Sequence, residues 1–265
     1  MIRSLLNPIA AARALRQLIA RMRFTYSDHQ CVAGHYWSMP DSTITAVQAR
    51  HSQLAEARAL RVDFSRFMLN YQFAIDEIMT KINILKTEFE HLHEYSPIEH
   101  VSSRLKSPDS IFDKARRRNE PLTIEALGRS IHDIAGVRVV CSFIADAYWV
   151  AEMLSTQSDV TVVKVKDYIE NPKPNGYKSL HLIVKVPIFL SGSVEEMHVE
   201  VQIRTVAMDF WASLEHKIYY KFGQEIPAAL LAELTDAADV ANRLDIKMAR
   251  LHDEVKTIER SRSLS

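Results

Sequence analysis

The chain has 265 residues, of which 47% are hydrophobic and 25% charged, so it has the composition of a globular protein with one large domain or two small ones. Its formal net charge of +0 excludes a bulk field that would recruit nucleic acid or a membrane, so an anion site must be a local cluster of cations. No apolar run reaches the ~18 residues of a membrane-spanning helix, and the two cysteines fit a reducing cytoplasm.

The amino-terminal residues 1–45 are predicted to be a basic extension and linker. Residues 1–26 contain five arginines and no acidic residue. Arg13 and Arg16 interrupt the apolar core that a secretory signal would need. A poorly ordered or oligomer-contacting extension is the favoured interpretation. An organelle transit peptide, a helix on a lipid surface and a misassigned start codon stay open as alternatives.

A long amphipathic helix is predicted next. Residues 43–61 have helical composition, and over residues 71–92 apolar side chains recur every three or four positions until Pro97 ends the helix. Ser107 and Pro108 form an N-cap and first-turn pair for a second helix. Helices are predicted at 108–118, 123–132, 145–154, 206–222 and 227–259. Strands are predicted at 98–106, 137–143, 160–165, 180–186 and 197–203.

These elements predict an α+β fold, in which a mixed sheet is flanked by helices. The expected organisation is a central domain at 46–222 with leading helices, followed by a C-terminal helix at 223–265. Apolar residues repeat along that last helix, which is typical of a core or a subunit contact. Residues 171–176 contain two prolines and a glycine, so they are predicted to form a loop.

Several common nucleotide and metal motifs are absent from the sequence. The six glycines form neither a P-loop nor a dinucleotide-binding loop. His198 and Glu200 match half of the zinc deaminase signature, but the required cysteine pair does not follow. The pairs His132-Asp133 and His252-Asp253 lack the further spaced ligands that a metal phosphohydrolase needs.

The strand at 197–203 has a notable pattern of side chains. Apolar residues alternate with polar ones, so the strand has one buried face and one polar face. The polar face aligns Glu200, Gln202 and Arg204 at spacings of about 7 Å. This set could hold a metal ion and a polyphosphate together. An edge strand with ordinary surface charges fits the same stretch equally well.

A basic cluster spans residues 104–118, with six cations within fifteen positions of a neutral protein. The predicted strand contributes residues at alternate positions and the helix contributes residues on one face, while the first helical turn also offers free backbone N–H groups. Five side chains can converge on a polyphosphate: Arg104, Lys106, Ser110, Lys114 and Arg117. The alternative is a solvated basic helix that binds nothing.

Two further signals complete the pattern. Asp133 lies just before a predicted strand and Arg138 lies on it. The loop at 171–176 presents Tyr177 between cations, where the ring could stack on a purine. Two carboxylates, Asp133 and Glu200, together with a basic cluster and an aromatic loop indicate a metal-assisted transfer between two nucleotides.

The same residues resemble a known family, the RelA/SpoT-type synthetase domain in its short stand-alone form, the small alarmone synthetases. The likeness covers residues 97–222, and it begins with Pro97-Ile98-Glu99-His100-Val101. Six more motifs follow in order: Arg104-x-Lys106, Ser110-Ile111 with Lys114, Asp133-Ile134-Ala135-Gly136-x-Arg138, Gly176-Tyr177-Lys178-Ser179-x-His181, Glu200-Val201-Gln202-Ile203-Arg204-Thr205 and Phe210-Trp211-Ala212-x-x-Glu215-His216.

This resemblance implies a nucleotidyltransferase-like (p)ppGpp synthetase of the stringent response, which moves pyrophosphate from ATP to the 3′-hydroxyl of GTP or GDP. It implies that Asp133 and Glu200 ligate Mg²⁺, and that Glu200 also accepts the hydroxyl proton. Arg104 and Arg138 would sandwich the adenine. The ATP phosphates would be held by Lys106, Ser110, Lys114 and Arg117. The acceptor would be bound by Tyr177, which stacks on guanine, and by Lys173, Lys178, His181 and Asp209.

The family's stand-alone members further imply a cytoplasmic homotetramer with no membrane partner. No hydrolase or regulatory domain flanks the motifs, so the chain is expected to make the nucleotide without degrading it. Lys178 stands where the family often has Arg, and Pro172 and Pro174 stiffen the acceptor loop, which leaves acceptor preference open. Two alternatives remain: a toxin-type relative that pyrophosphorylates the 3′ end of tRNA, and an inactive nucleotide sensor or RNA-binding module. The zero net charge weighs against the first and the two carboxylates against the second.

Overall fold

The structure, a computed structural model, describes residues 41–93, 95–222 and 227–263. The chain divides into two compact units, Met1–Leu54 and Ala55–Ser265. In the first unit, the described residues 41–54 are helical. Of the extension and linker predicted over residues 1–45, residues 1–40 lie outside the described residues, and residues 41–45 are helical. The second unit contains the sheet and the candidate site.

Helix α1 spans Asp41–Leu92, so the two predicted helical stretches belong to one continuous helix. The apolar face predicted for its second half is confirmed by Tyr71, Ile78 and Ile82, each of which is at most 2% exposed. Leu92 was predicted on the same face but is 75% exposed, because it lies in the last turn, where the helix ends.

All five predicted strands are present and form one mixed sheet. They are β1 (Ile98–Leu105), β2 (Ala135–Cys141), β3 (Thr161–Asp167), β4 (Leu180–Phe189) and β5 (Val194–Thr205). Their order is β1-β2-β5-β4-β3, with β2 and β5 parallel and the other neighbours antiparallel. Strand β2 ends before the predicted limit at Phe143, because the Phe143 N–H donates to Asp146 Oδ2 at 3.0 Å as the next helix begins.

Five further helices follow the predicted order. They are α2 (Pro108–Arg117), α3 (Ile124–Ser130), α4 (Ile144–Ser155), α5 (Val206–Phe222) and α6 (Ala228–Ser263). Ser107 and Thr123 cap α2 and α3 as predicted, since each side-chain oxygen accepts a hydrogen bond from a backbone N–H of the first turn. The predicted α+β class, a mixed sheet flanked by helices, is confirmed.

The sheet has one apolar and one polar face, because successive side chains of a strand point to opposite sides. Val137 on β2 and Val201 on β5 are at most 2% exposed and belong to the core. On the polar side, the register places Arg104 of β1 beside Gly136 of β2, and Gly136 beside Glu200 of β5. The pairing of β1, β2 and β5 therefore builds one polar row across the sheet.

The first half of α6 packs on α5 and on the end of β5. Trp211 Nε1 in α5 donates to the Leu234 carbonyl oxygen at 2.9 Å. The buried Thr205 hydroxyl at the end of β5 donates to Asp245 Oδ2 at 2.7 Å. The C-terminal helix is thus attached to the strand that carries Glu200. Among the described helices, none is both long and apolar enough to cross a membrane.

Candidate active site

The polar face of β1, β2 and β5 borders a cleft of about 320 Å³. Five of the predicted site residues line it: Arg104, Lys106, Asp133, Arg138 and Glu200. Gly136 lies among them, and a Cβ placed there would come no closer than 3.5 Å to another atom, the Arg104 carbonyl oxygen. The missing side chain at Gly136 therefore keeps the space between Arg104 and Glu200 open for a ligand.

Asp133 is bound by two lysines from different elements. Its Oδ2 accepts hydrogen bonds from Lys106 Nζ at 2.9 Å and from Lys114 Nζ at 2.7 Å. Burial opposes ionisation of the carboxyl group, but the two ammonium groups outweigh this effect and lower the pKa of Asp133. The second oxygen, Oδ1, is buried and has no hydrogen-bond partner among the described residues. A buried anionic oxygen without a donor is suited to a cation.

Local structure explains how both lysines reach Asp133. The Lys106 N–H donates to the Ile134 carbonyl oxygen at 2.8 Å, which holds the end of β1 against the turn that contains Asp133. Helix α2 begins immediately after, capped by Ser107, and carries Lys114 two turns beyond the cap. The cap therefore sets the direction from which Lys114 approaches the carboxylate.

Three members of the predicted phosphate cluster, Ser110, Lys114 and Arg117, lie outside the cleft lining of the described chain, although Lys114 reaches Asp133. Ser110 is in the first turn of α2, where its hydroxyl accepts from Ser107 Oγ at 2.8 Å. Arg117 is exposed, and its Nε donates to the Asp113 carbonyl oxygen at 3.4 Å. Because seven helical residues span about 10 Å, Ser110 and Arg117 lie at opposite ends of α2. The structure therefore brings Lys106 and Lys114 together at Asp133, and convergence of all five side chains on a polyphosphate stays a prediction.

Glu200 is held at both carboxylate oxygens. Its Oε1 lies 3.3 Å from His181 Nδ1, and its Oε2 accepts from Gln202 Nε2 at 2.9 Å. Burial opposes ionisation of Glu200, but these hydrogen bonds prevail and lower its pKa. Burial lowers the pKa of His181, although its contact with Glu200 favours the charged ring. Glu200 is thus an ionised carboxylate in a fixed orientation.

Arg204 is buried, although the polar-face pattern predicted it as a ligand for polyphosphate. It is only 4% exposed. Its Nη2 donates to the Tyr177 hydroxyl at 2.6 Å and to Gln202 Oε1 at 2.7 Å, and its Nη1 donates to Asp209 Oδ1 at 3.2 Å. The donors of Arg204 are therefore directed to neighbouring side chains.

The remaining predicted acceptor residues lie around Tyr177 or next to it in sequence. Lys173 Nζ is 4.5 Å from the centroid of the Tyr177 ring. Asp209 accepts from Arg138 Nη1 at 3.1 Å as well as from Arg204. The Lys178 ammonium instead donates a hydrogen bond to Asn242 Oδ1 of α6 at 2.6 Å. That bond ties the loop before β4 to the C-terminal helix.

Gly176 fixes the path of this loop. Its φ of 84° lies in the left-handed region that favours glycine, and a Cβ at this position would lie 2.4 Å from the Ala238 Cβ of α6. The Gly176 N–H donates to the Lys173 carbonyl oxygen at 2.8 Å, and the Tyr177 N–H donates to Asn175 Oδ1 at 3.2 Å. The loop that carries Lys173 and Tyr177 is therefore tightly turned and packed against α6.

Sequence reasoning missed the contribution of α6 to the site. Asn242 and Asp245 bond residues 64 and 40 positions earlier in the chain, and no local motif marks either of them. Gln202 was visible as a polar-face neighbour of Glu200, and the alternation of β5 could have identified it as a partner. Only the position of Arg204 shows that the amide oxygen of Gln202 accepts from Arg204 and that its nitrogen donates to Glu200.

This arrangement is suited to transfer of a phosphoryl-type group. Two carboxylates border one cleft, and cations approach it from β1, β2 and α2. Within the described residues, no group of three or more metal-ligating side chains occurs. A divalent ion held by two carboxylates would take its other ligands from phosphate oxygens and water, which is how Mg²⁺ is commonly bound beside nucleotides.

Comparison with known proteins supports this chemistry. Residues 103–225 match the model of a protein family described as the region found in RelA and SpoT proteins. The chain is 47% identical over 204 residues to the GTP pyrophosphokinase YwaC of Bacillus subtilis, a match that covers 77% of this chain and 97% of the relative. It is 40% identical over 194 residues to the GTP pyrophosphokinase YjbM of the same organism, covering 73% and 90% of the two chains.

Three solved structures from the same bacterium have a similar fold. The small alarmone synthetase 2 of Bacillus subtilis is 48% identical, with a TM-score of 0.67 over 72% of this chain and 99% of that chain. The small alarmone synthetase 1, bound to its product pppGpp, is 38% identical, with a TM-score of 0.69 over 73% and 98%. A structure of the latter protein bound to AMPCPP is 36% identical, with a TM-score of 0.64 over 74% and 98%.

Proposed function

Because the chain belongs to the RelA/SpoT family and is a small alarmone synthetase, we propose that its polar cleft is where ATP meets the guanine acceptor. The protein is a GTP pyrophosphokinase, which transfers pyrophosphate from ATP to the 3′-hydroxyl of GTP or GDP and makes (p)ppGpp. One observation carries the assignment of the site: Asp133, with its unpartnered buried Oδ1, lines the same cleft as Glu200.

In the proposed step, Glu200 accepts the proton of the 3′-hydroxyl. The 3′-oxygen forms a bond to the β-phosphorus of ATP, and the bond from that phosphorus to the oxygen shared with the α-phosphorus breaks. AMP leaves with that oxygen, and the pyrophosphate stays on the acceptor. Holding both nucleotides in line supplies much of the rate in such transfers. Glu200 suits the task because it is ionised and its orientation is fixed by His181 and Gln202.

Asp133 and Glu200 are the residues that would hold Mg²⁺. The donor set fits this ion, since Mg²⁺ prefers carboxylate oxygens and the buried Asp133 Oδ1 has no donor among the described residues. When bound, Mg²⁺ neutralises phosphate charge and makes a nearby hydroxyl more acidic. Glu200 can therefore serve as the proton acceptor without a raised pKa.

The donor side of the cleft is proposed to bind ATP. Arg104 and Arg138 line the cleft with planar guanidinium groups that can stack on adenine. Lys106 and Lys114 meet at Asp133, where the phosphate chain would compete for their ammonium groups. Ser110 lies in the first turn of α2 and Arg117 in its last turn, and the two are proposed to contact the ends of the triphosphate.

The acceptor side is proposed to centre on Tyr177, whose ring would stack on guanine. Lys173 lies against that ring and would meet the acceptor phosphates. Asp209 is proposed to accept from the guanine edge. His181 borders the proposed position of the 3′-hydroxyl through its contact with Glu200. For Lys178, the bond to Asn242 favours a role in holding the loop over direct phosphate contact.

A cytoplasmic homotetramer is proposed as the working form of the protein. Helix α6 leaves apolar side chains half exposed, including Leu244, Met248 and Val255. Burying such a stripe between copies of one chain is a common reason for symmetric assembly. ATP and GTP, the substrates, are cytoplasmic metabolites. Light scattering of the purified protein measures the assembly directly, and a monomeric mass would contradict it.

The proposed function is tested by product analysis with ATP labelled in its γ-phosphate. The purified protein is incubated with Mg²⁺ and with GTP, GDP or uncharged tRNA. Label in pppGpp or ppGpp, with AMP released in equal amount, is expected and ranks the acceptors. Label in tRNA alone would identify a toxin-type transferase. Loss of transfer after chelation of Mg²⁺, with recovery when Mg²⁺ is returned, is the expected metal dependence.

A further inference from the structure

Arg204 is a buried guanidinium at the centre of the polar network, and none of the proposed nucleotide contacts includes it. Its side chain is 5% exposed. It is not part of the cleft lining in the described chain. Arg204 nevertheless contacts Tyr177 and Asp209 directly and reaches Glu200 through other side chains. It can therefore affect substrates only through the residues that it holds.

One hydrogen-bond chain leads from Arg204 to Oε1 of Glu200. Arg204 Nη2 donates to the Tyr177 hydroxyl at 2.6 Å, and that hydroxyl lies 2.8 Å from His181 Nε2. His181 Nδ1 lies 3.3 Å from Glu200 Oε1. A guanidinium only donates and a carboxylate only accepts, so both ends of the chain are fixed. Nδ1–H must then donate to Glu200, and the Tyr177 hydroxyl and Nε2 share one hydrogen bond.

A second chain leads from the same nitrogen to the other carboxylate oxygen. Arg204 Nη2 donates to Gln202 Oε1 at 2.7 Å, and Gln202 Nε2 donates to Glu200 Oε2 at 2.9 Å. The donor at Arg204 and the acceptor at Glu200 again determine which way the amide of Gln202 is turned. Both oxygens of Glu200 are therefore held by chains that start at Arg204 Nη2.

The other guanidinium nitrogen of Arg204 faces the donor side. Asp209 Oδ1 accepts from Arg204 Nη1 at 3.2 Å and from Arg138 Nη1 at 3.1 Å. Arg138 is one of the two arginines proposed to hold adenine. A single buried cation is thus linked to residues of the donor site, the acceptor site and the proposed base.

We infer that Arg204 is a positioning residue that couples the acceptor platform at Tyr177 to the orientation of the Glu200 carboxylate. This inference rests on the proposed function of the cleft. A guanine stacked on Tyr177 fixes the ring and its hydroxyl, and the chain through His181 then fixes Glu200 relative to the same acceptor. The hydroxyl of Tyr177 therefore serves the chemical step, whereas its ring serves binding.

The variant Tyr177→Phe tests the coupling because it removes one oxygen and keeps the stacking ring. We expect kcat to fall about tenfold while KM for GTP changes less than about twofold, which is the usual range for residues that orient a catalytic group. Tyr148→Phe is the matched control, since the Tyr148 hydroxyl also donates to a carboxylate, Asp167, at 2.8 Å, but outside the network. That control should leave both constants unchanged.

A second pair of variants tests the role of Arg204 itself. Gln202→Met removes the other chain and should lower kcat by a similar factor. Arg204→Lys keeps the charge but loses the forked donor, so its kcat should resemble that of the double variant Tyr177→Phe/Gln202→Met, about 10- to 100-fold below wild type. Thermal unfolding of each variant shows whether it is folded. If Arg204→Lys is unfolded, the two single variants still decide the question.

The outcomes separate this inference from the proposed function. Product formation by the wild-type protein and its loss in Glu200→Ala test the proposed function, whatever the tyrosine variant does. An unchanged kcat in Tyr177→Phe would overturn the coupling. A raised KM for GTP at constant kcat would also overturn it, because the hydroxyl would then be an acceptor ligand.

Discussion

The two carboxylates of the cleft are held in different ways. Asp133 is bound at one oxygen by two long, flexible lysines, and its second oxygen has no partner in the described chain. Glu200 is bound at both oxygens, by His181 and Gln202, and chains through these two side chains lead to Arg204. The side chain of Asp133 is 22% exposed and that of Glu200 is 13% exposed.

This difference indicates a division of labour between the two acids. The lysines on Asp133 can exchange one anionic partner for another, so the Asp133 side of the cleft can reorganise as the charged ATP chain arrives. Glu200 has no such freedom, because moving it would break two hydrogen-bond chains. The guanine nucleotide supplies the attacking oxygen, so the acceptor side benefits from being rigid. The donor side can be flexible, because it has to admit the charged ATP chain.

The largest effect is expected for Glu200→Ala. Turnover should fall by about 10²- to 10⁴-fold, because a positioned proton acceptor and a metal ligand are lost together. Binding of GTP should weaken only modestly, since Tyr177 and Lys173 remain. Steady-state kinetics and equilibrium GTP binding measure the two quantities. Near-normal turnover would mean that Glu200 is not the proton acceptor. The contrast between Asp133 and Glu200 would then have no functional meaning.

The next largest effect is expected for the flexible donor side. Lys106→Met or Lys114→Met should raise KM for ATP by about 10- to 100-fold, because a hydrogen bond between charged groups contributes about 1.5–3 kcal/mol. KM for GTP should change little. Lys81→Met is the control, because Lys81 forms a comparable pair with Asp159 at 2.5 Å outside the cleft. If KM for ATP and KM for GTP changed equally, the donor and acceptor sides of the cleft would not be independent.

A smaller effect is expected from loosening the rigid acceptor side. Gly176→Ala places a methyl group 2.4 Å from the Ala238 Cβ at a φ of 84°, so the loop must shift or strain. We expect a loss of stability of about 1–3 kcal/mol and a raised KM for GTP, with KM for ATP little changed. Gly192→Ala is the matched control, since a Cβ there has nothing within 4 Å. If the two variants unfold at the same temperature, packing of α6 does not hold the loop.

The smallest effect is expected for Asp245→Asn, behind the acceptor side. Burial raises the pKa of Asp245 above its ordinary 3.8, although the Thr205 hydroxyl and Lys178 oppose this. The stability contributed by protonated Asp245 is therefore complete below pH 3.8 and is lost as pH rises through the folded pKa. The neutral variant should melt slightly higher than wild type at pH 7, and this gain should disappear in acid. A gain that does not depend on pH would contradict the linkage.

Much of the fold could be predicted from the sequence because the signals are local. The cap at Ser107 and the alternation along β5 depend on neighbouring residues, and the structure has both elements where they were expected. The end of β2 was misplaced because it is set by the Asp146 side chain in the following helix. The roles of the predicted site residues stay predictions, which the variants above test.

The sequence by itself determined the order of elements, the polar face of β5 and the presence of Asp133 and Glu200, because each depends on period or composition within a short stretch. Only the tertiary structure decided that Lys106 and Lys114 meet at Asp133, that Lys178 bonds α6, and that Arg204 is buried. The physical reason is that hydrogen bonds and burial depend on distances between strands and helices, and residue spacing does not encode these distances. Lys178 and Asn242 are 64 residues apart in the chain, yet their side chains lie 2.6 Å apart.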